Sequence, residues 1–308
     1  MTAALALLPD FALILLGAGL RRVLHLGDHF WTGLKKLIYF VLFPALLFGG
    51  LVKTRIDWSA AGPLIGVVAV AMGTGILLGF GARLFRLTPI SFASQYQCAF
   101  RFNSYIGLAV AGTLHGVEGI AAMGIVIGVM VPPANIAAVW MLARHGELSV
   151  WQELARNPLV LATLAGLVCN LADFTAPAPL LRFLGRLAEA SIALGLLTVG
   201  AGLRAGTQKL GATVTAKAGI SGGTGAIAYL LAVKLLALPL AAFAMIRWIG
   251  LSGVYADVAL IFAALPTASS SYILAQRMGG DGPRVAWLVS ASTLLAMLTL
   301  PLWIAYPR

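Results

Sequence analysis

Residues 94–112 read SQYQCAFRFNSYIGLAVAG, and residues 264–281 read ALPTASSSYILAQRMGGD. Each sets a polar interruption inside a long apolar run. In the first, Gln95, Gln97, Arg101, Asn103 and Ser104 fall at or near the middle of a stretch otherwise apolar enough to cross a bilayer. In the second, Pro266 removes a backbone donor and clashes with the preceding turn. Thr267, Ser269, Ser270 and Ser271 follow it closely and can satisfy freed carbonyls or contact a ligand. Irregular backbone at membrane depth is tolerated only where it is buried or lines a wet cavity. Both stretches are therefore expected to be broken helices.

The composition around them agrees with a membrane setting. Hydrophobic residues make up 60% of the 308, and charged residues only 10%, against roughly 25% in soluble domains. Mean hydropathy is +0.96. That excludes a soluble enzyme, a disordered chain and a nucleic-acid binder, since the polar surface cannot cover a water-soluble body. The long unbroken apolar runs favour helices over a barrel. The net charge of +11 comes from 21 basic residues scattered singly between those runs, as in membrane loops. Cys98 and Cys169 lie inside apolar runs without a CxxC partner and read as packing residues.

A spanning helix needs about 20 mostly apolar residues. Ten stretches qualify: 3–20, 33–52, 61–82, 89–113, 118–142, 158–173, 180–203, 224–247, 254–277 and 285–305. With the amino terminus outside, 13 of the 21 basic residues fall in inward loops, 6 in outward ones, and Arg101 and Lys234 inside spans. That bias places both termini outside. Residues 144–157 read as an interfacial linker on the inner side. The halves 1–143 and 158–308 also echo one another. Pro9 and Gly17 recur as Pro158 and Gly166; Lys35, Leu46 and Gly49 as Arg186, Leu197 and Gly200; Ser104, Tyr105, Ile106 and Gly112 as Ser271, Tyr272, Ile273 and Gly279. Five spans per copy is odd, so the second copy must be inserted upside down. Inverted repeats mark secondary transporters, with the substrate near the midplane where the copies meet.

The fourth and ninth spans hold equivalent places in the two copies. Half-helices that begin at their breaks would present free N–H groups and a positive dipole end, which suit an anion. Asn103 and Ser104 are candidates to start one, and Thr267, Ser269 or Ser270 the other. The competing reading is that these residues only glue helices together. Arg101 can pair with a carboxylate or snorkel to an interface. Lys234, near the centre of the eighth span, can cancel the negative carboxyl ends of the broken helices or can titrate. Glu189 is the clearest intramembrane carboxylate and a candidate for proton coupling. Neither break carries a carboxylate, which argues against a dedicated sodium site. Asn135 beside Pro132 and Pro133 reads as a helix–helix hydrogen bond.

FPALLF (43–48), RFNSYIGLA (101–109), KLLALP (234–239) and LPTASSSYILAQRMGGD (265–281) with the following LTLPLW (298–303) resemble the auxin efflux carrier family. The similarity runs through nearly the whole chain. Plant auxin exporters and bacterial carriers of malonate, malate and similar organic anions belong there. The resemblance implies an all-α polytopic membrane protein of ten transmembrane helices in two inverted five-helix repeats, like bile-acid symporters. Helices 4 and 9 would be broken and would cross. Spans 1, 2, 6 and 7 would form a scaffold, often dimeric, and spans 3–5 and 8–10 a moving unit in an elevator mechanism. One departure stands out. Relatives often carry a proline at the fourth-span crossover, and here none lies between Pro89 and Pro132, so Gly107 is expected to supply the flexibility.

The reading is a carrier of a small organic carboxylate, not an enzyme. Arg101, Asn103, Ser104, Thr267, Ser269, Ser270 and Ser271 would hold the anion, with Tyr105 and Tyr272 as candidates for its apolar part. Gly107, Pro266 and Lys234 would shape the crossover. No cofactor, metal or nucleic acid is implied. The expected partners are the anion, the lipid bilayer and a second copy of the chain through the scaffold, in the inner membrane of the cell. The rivals are an intramembrane enzyme and an anion channel. No HExxH, P-loop or GxSxG motif supports the first.

Overall fold

A computed structural model describes residues 8–53, 58–142, 158–172, 174, 176–203 and 222–305. Among these the regular structure is entirely helical, with no strand. The linker at 144–157 and the loop cations Arg204, Lys209 and Lys217 lie outside the described residues. The order is α1 (Leu8–Val23), α2 (Asp28–Leu37), α3 (Phe43–Lys53), α4 (Trp58–Gly79), α5 (Pro89–Tyr96), α6 (Ser104–Leu142), α7 (Pro158–Leu171), α8 (Ala178–Gly202), α9 (Gly222–Ala232), α10 (Leu238–Ile249), α11 (Gly253–Ala264), α12 (Ser270–Arg277) and α13 (Gly282–Ala305). Five helical runs among the described residues are long and apolar enough to cross a membrane: Asp28–Lys53, Ala61–Phe85, Pro89–Leu142, Gly223–Ile249 and Gly282–Ala305. Leu161–Leu171 and Gly253–Ala264 are shorter apolar helices.

The long run Pro89–Leu142 is not one rod. It is broken after the 3-10 turn Gln97–Ala99 and again at Gly116, whose φ of 57° and ψ of −138° interrupt α6. A left-handed φ is cheap only for glycine. The fourth and fifth expected spans thus meet at Gly116.

Two wide turns have a common cause. Ile38–Leu42 joins α2 to α3 as a π-helix, and Val233–Ala237 joins α9 to α10 in the same way. Each ends two residues before a proline, Pro44 and Pro239. Proline cannot donate to the carbonyl four residues back, and its ring crowds that carbonyl, so the turn widens to i→i+5 bonding. Phe43 N–H donates to the Ile38 carbonyl, and Leu238 N–H to that of Val233. The carbonyl that Pro239 cannot serve, Leu235, accepts instead from Trp303 Nε1 at 3.0 Å. Around the first turn, the Leu42 carbonyl accepts from Ser191 Oγ of α8 at 2.8 Å.

Small residues bring helices together where lipid offers no hydrophobic drive. α1 packs along α8, and α3 along α7. A Cβ on Gly17 would run into the Leu197 carbonyl, and one on Gly200 into the Ile14 carbonyl. Arg21 closes the end of this pair, donating to the Ala201 carbonyl at 2.7 Å. On the other pair, Asn170 Nδ2 donates to the Leu51 carbonyl at 2.8 Å. α4 packs on α10, and α11 lies against both α4 and α6, and the broken segments are largely buried.

Gly200→Ala is expected to push α1 off α8 and cost about 1–3 kcal/mol, read as a lower unfolding temperature of the detergent-solubilised protein. Gly73→Ala on α4 has open space around it and should leave that temperature unchanged. Equal unfolding temperatures for the two variants would refute the close-contact account.

Candidate functional site at the crossing of two broken helices

The backbone leaves helical geometry at 100–103 and again at 265–269. At each place peptide groups lose their helical partners, and in an apolar medium each unmet group costs several kcal/mol. The two breaks solve this for each other. Asn103 N–H donates to the Pro266 carbonyl at 3.0 Å. Thr267 Oγ1 donates to the Cys98 carbonyl at 2.9 Å. Thr267 N–H in turn donates to Ser292 Oγ of α13 at 3.2 Å. The broken segments therefore lie in direct contact.

Asn103 also starts the helix that follows it. Its Oδ1 accepts from the N–H groups of Tyr105 at 3.1 Å and Ile106 at 3.3 Å, the usual side-chain cap and worth about 1 kcal/mol. This cap ends the need for a proline in the first break. A polar side chain that bonds its own backbone competes with helix continuation, and Pro266 of the other break supplies the acceptor. Gly107 lies beyond the break and not within it. It sits one turn inside α6, its N–H bonded to the Asn103 carbonyl at 3.0 Å. A Cβ there would stand 2.9 Å from Leu265 Cδ1 and 3.3 Å from Met123 Sδ. Its small size permits the close approach of the second break.

On the other side the capping expectation is corrected. Ser269 holds the position before α12 but has helical φ and ψ and makes no side-chain cap bond. The first turn is closed by Ser271 N–H to the Ala268 carbonyl at 3.0 Å. A backbone acceptor was available, so no hydroxyl was needed.

Arg101 ties both segments together. It donates from Nη1 to Gln97 Oε1 at 3.0 Å. From Nη2 it donates to Ser270 Oγ at 3.0 Å and to Asn135 Oδ1 at 3.1 Å. Gln97, fully buried, donates from Nε2 to the Ser271 carbonyl at 3.2 Å. Asn135 thus bonds the arginine of the first break and not a second helix. Two buried polar groups here have no hydrogen-bond partner among the described residues: Asn103 Nδ2 and Ser271 Oγ. Both belong to residues no more than 2% exposed. Ser104, Ser269 and Tyr272 are half-buried nearby, while Tyr105 packs its ring on Phe43 of α3, centroids 4.5 Å apart.

Two predicted residues stand apart. Lys234 is wholly buried in the π-helical turn Val233–Ala237, and its Nζ has no hydrogen-bond partner among the described residues. That turn packs on the 3-10 turn Gln97–Ala99 and on α11, the two segments whose carboxyl ends lie at the breaks. Glu189 is not brought to the crossing. It lies on α8 with its side chain 75% exposed, 3.9 Å from Arg186. Sequence reasoning missed two links away from the breaks, His115 to Asp257 at 2.8 Å and Thr113 to Asp10 at 2.9 Å. Their residues are isolated in sequence, and only the packing pairs them.

Residues 142–304 match the family described as membrane transport protein. Over 95% of this chain and 92% of its own length, a protein of Rhizobium meliloti (strain 1021) named "Putative malonate transporter" is 24% identical. A protein of Methanothermobacter thermautotrophicus (strain ATCC 29096 / DSM 1053 / JCM 10044 / NBRC 100330 / Delta H), named "Uncharacterized transporter", is 25% identical over 96% of this chain and 95% of its own. A matched region of more than half the chain, joined to several helices fit to cross a bilayer, leads to one statement: the chain belongs to the membrane transport protein family, the family of the auxin efflux carriers, and is a multi-pass membrane transporter.

Proposed function

We propose that the chain is a secondary carrier of small organic anions and that the crossing of the breaks is its substrate site. The observation that carries this reading is the group of donors gathered there. Asn103 Nδ2 and Ser271 Oγ are buried without acceptors among the described residues, beside the Arg101 guanidinium and at the amino ends of α6 and α12. Such helix ends carry partial positive charge, and a low local dielectric strengthens every charge-assisted bond made to them. A carboxylate fits this set. It would accept from Arg101, Asn103 and Ser271, while Ser104, Ser269 and Ser270 orient it and Thr267 with Pro266 hold the second break in place. Tyr272 borders the space for an apolar part of the ligand. The name of the Rhizobium relative makes malonate the first anion to try; an aromatic monocarboxylate is the second.

The same reading assigns two inverted five-helix repeats. The pairings α1 with α8 and α3 with α7 are ones that an exchange of the two repeats would interconvert. Spans 1, 2, 6 and 7 would then form the scaffold, and spans 3–5 and 8–10 would move past it as an elevator. The exposed Arg186–Glu189 pair lies partway along α8, where lipid contact is costly; that favours a homodimer formed through the scaffold. The basic-residue bias places both termini outside the inner membrane. Lys234 is assigned a structural task, cancelling the negative carboxyl ends of the segments before the two breaks.

Purified protein in liposomes is expected to take up labelled malonate with saturation. Linear flux accompanied by single-channel currents would refute the carrier reading. Arg101→Gln should raise KM by at least about tenfold, equivalent to about 1.4 kcal/mol of lost binding, and Arg101→Lys by less because the charge remains. Unchanged KM in both would remove Arg101 from the site. Lys234→Met should lower the unfolding temperature, since two helix ends lose their counter-charge. A higher temperature would instead mark Lys234 as a mere desolvation cost.

A further inference from the structure

A second polar region lies at the rim of the bundle, away from the crossing. A cavity of about 280 Å³ opens where α5 and α13 begin. Arg86, Thr88, Ser91, Gly280, Asp281 and Arg284 line it. Its one carboxylate is already engaged. Asp281 Oδ2 accepts from Ser91 Oγ at 2.8 Å and lies 3.5 Å from Arg284 Nε, while Oδ1 accepts from Arg284 N–H at 3.2 Å in the first turn of α13. Arg284 is held in place by a further bond from Nη1 to Ser91 Oγ at 2.9 Å. Arg86 is exposed and makes no ion pair among the described residues; its φ of 53° is left-handed. Two guanidinium groups against one engaged carboxylate leave a positive concavity.

This cavity is joined to the crossing by a continuous polar track. α5 and α12 lie between the two places, one beginning and the other ending near the cavity. Ser91 Oγ accepts from buried Gln95 Nε2 at 2.8 Å. Asp281 N–H donates to Ser94 Oγ at 2.7 Å. The Ser94 carbonyl accepts from Gln97 Nε2 at 3.2 Å, and Gln97 Oε1 accepts from Arg101. Midway, Gln95 Oε1 is buried with no hydrogen-bond partner among the described residues. The eight residues of α5 set the length of this track at about 12 Å.

We propose that the cavity is a peripheral docking site for a small carboxylate anion, held by Arg86 and Arg284 and separated from the crossing by one helix length. Its volume accommodates a short acid. Arg86 supplies the charge that Asp281 does not cancel. The identity of the ligand rests on the organic-anion reading above; the positive character of the cavity does not.

The test is charge-selective modification of the full chain in detergent. Cysteine is placed at Leu87, which lines the cavity, with Cys98 and Cys169 replaced by alanine and Ser252→Cys as an exposed reference far along the chain. The rates with a sulfonate-bearing and a trimethylammonium-bearing methanethiosulfonate are compared. Relative to Ser252→Cys, the preference for the anionic reagent should rise about tenfold at Leu87→Cys. It should fall at least about threefold on adding Arg86→Asn, since asparagine accepts a left-handed φ without the charge. Millimolar malonate, against sodium chloride of equal ionic strength, should slow the reaction, and should still do so with Arg101→Gln. Should Leu87→Cys fail to fold, Ile90→Cys on the same wall takes its place. No anionic preference, no protection by malonate, or protection abolished by Arg101→Gln would each overturn the proposal. Charge preference and protection without malonate flux in liposomes would sink the carrier reading alone, and flux without charge preference would sink this site alone.

Discussion

In a bilayer a peptide group has no water to fall back on. A helix that breaks there must find new partners for its N–H and carbonyl groups, or it must not break. The contact between Asn103 N–H and the Pro266 carbonyl, with that between Thr267 Oγ1 and the Cys98 carbonyl, meets this demand in both directions. Neither break is stable by itself in lipid. The position of each determines that of the other, and the close packing of Gly107 under Leu265 follows from bringing them together. The backbone where the breaks meet is pre-organised, because each break is held open by its counterpart.

The same constraint explains the polar side chains between the breaks. Gln97 and Arg101 are not scattered exceptions to an apolar core. Gln97 bonds the Ser271 carbonyl, and Arg101 reaches Ser270 and Asn135, so each crosses from one segment to another. Polar residues at membrane depth face the bundle interior and mark pathways. Here they also set register, since a slip of either half-helix would separate donors from acceptors fixed on the other.

Much of this was legible in the chain because its physical cause is local. Pro266 inside an apolar run with hydroxyl residues after it carries its own break signal, and Asn103 before an apolar run carries its own capping signal. The residues gathered at the crossing were named from such signals. What was not legible depended on the partner segment. The first break has no proline, so its cause lies in the Pro266 carbonyl, far away in sequence. Glu189 was visible as a carboxylate in an apolar run, but hydropathy does not tell which face of α8 it occupies. The bond between Ser91 and Asp281 joins residues 190 positions apart, and no motif spans such a distance. The Gly116 break went unread because a glycine amid apolar residues is ordinary until its φ is known.

The indole of Trp303 has a bearing on biogenesis. It serves the Leu235 carbonyl that Pro239 leaves without a helical partner. Leu235 precedes Trp303 by 68 residues in the chain. Until the last helix arrives, the turn beside Lys234 carries an unmet polar group. The Leu235 carbonyl therefore gains this partner only once α13 has packed against the turn.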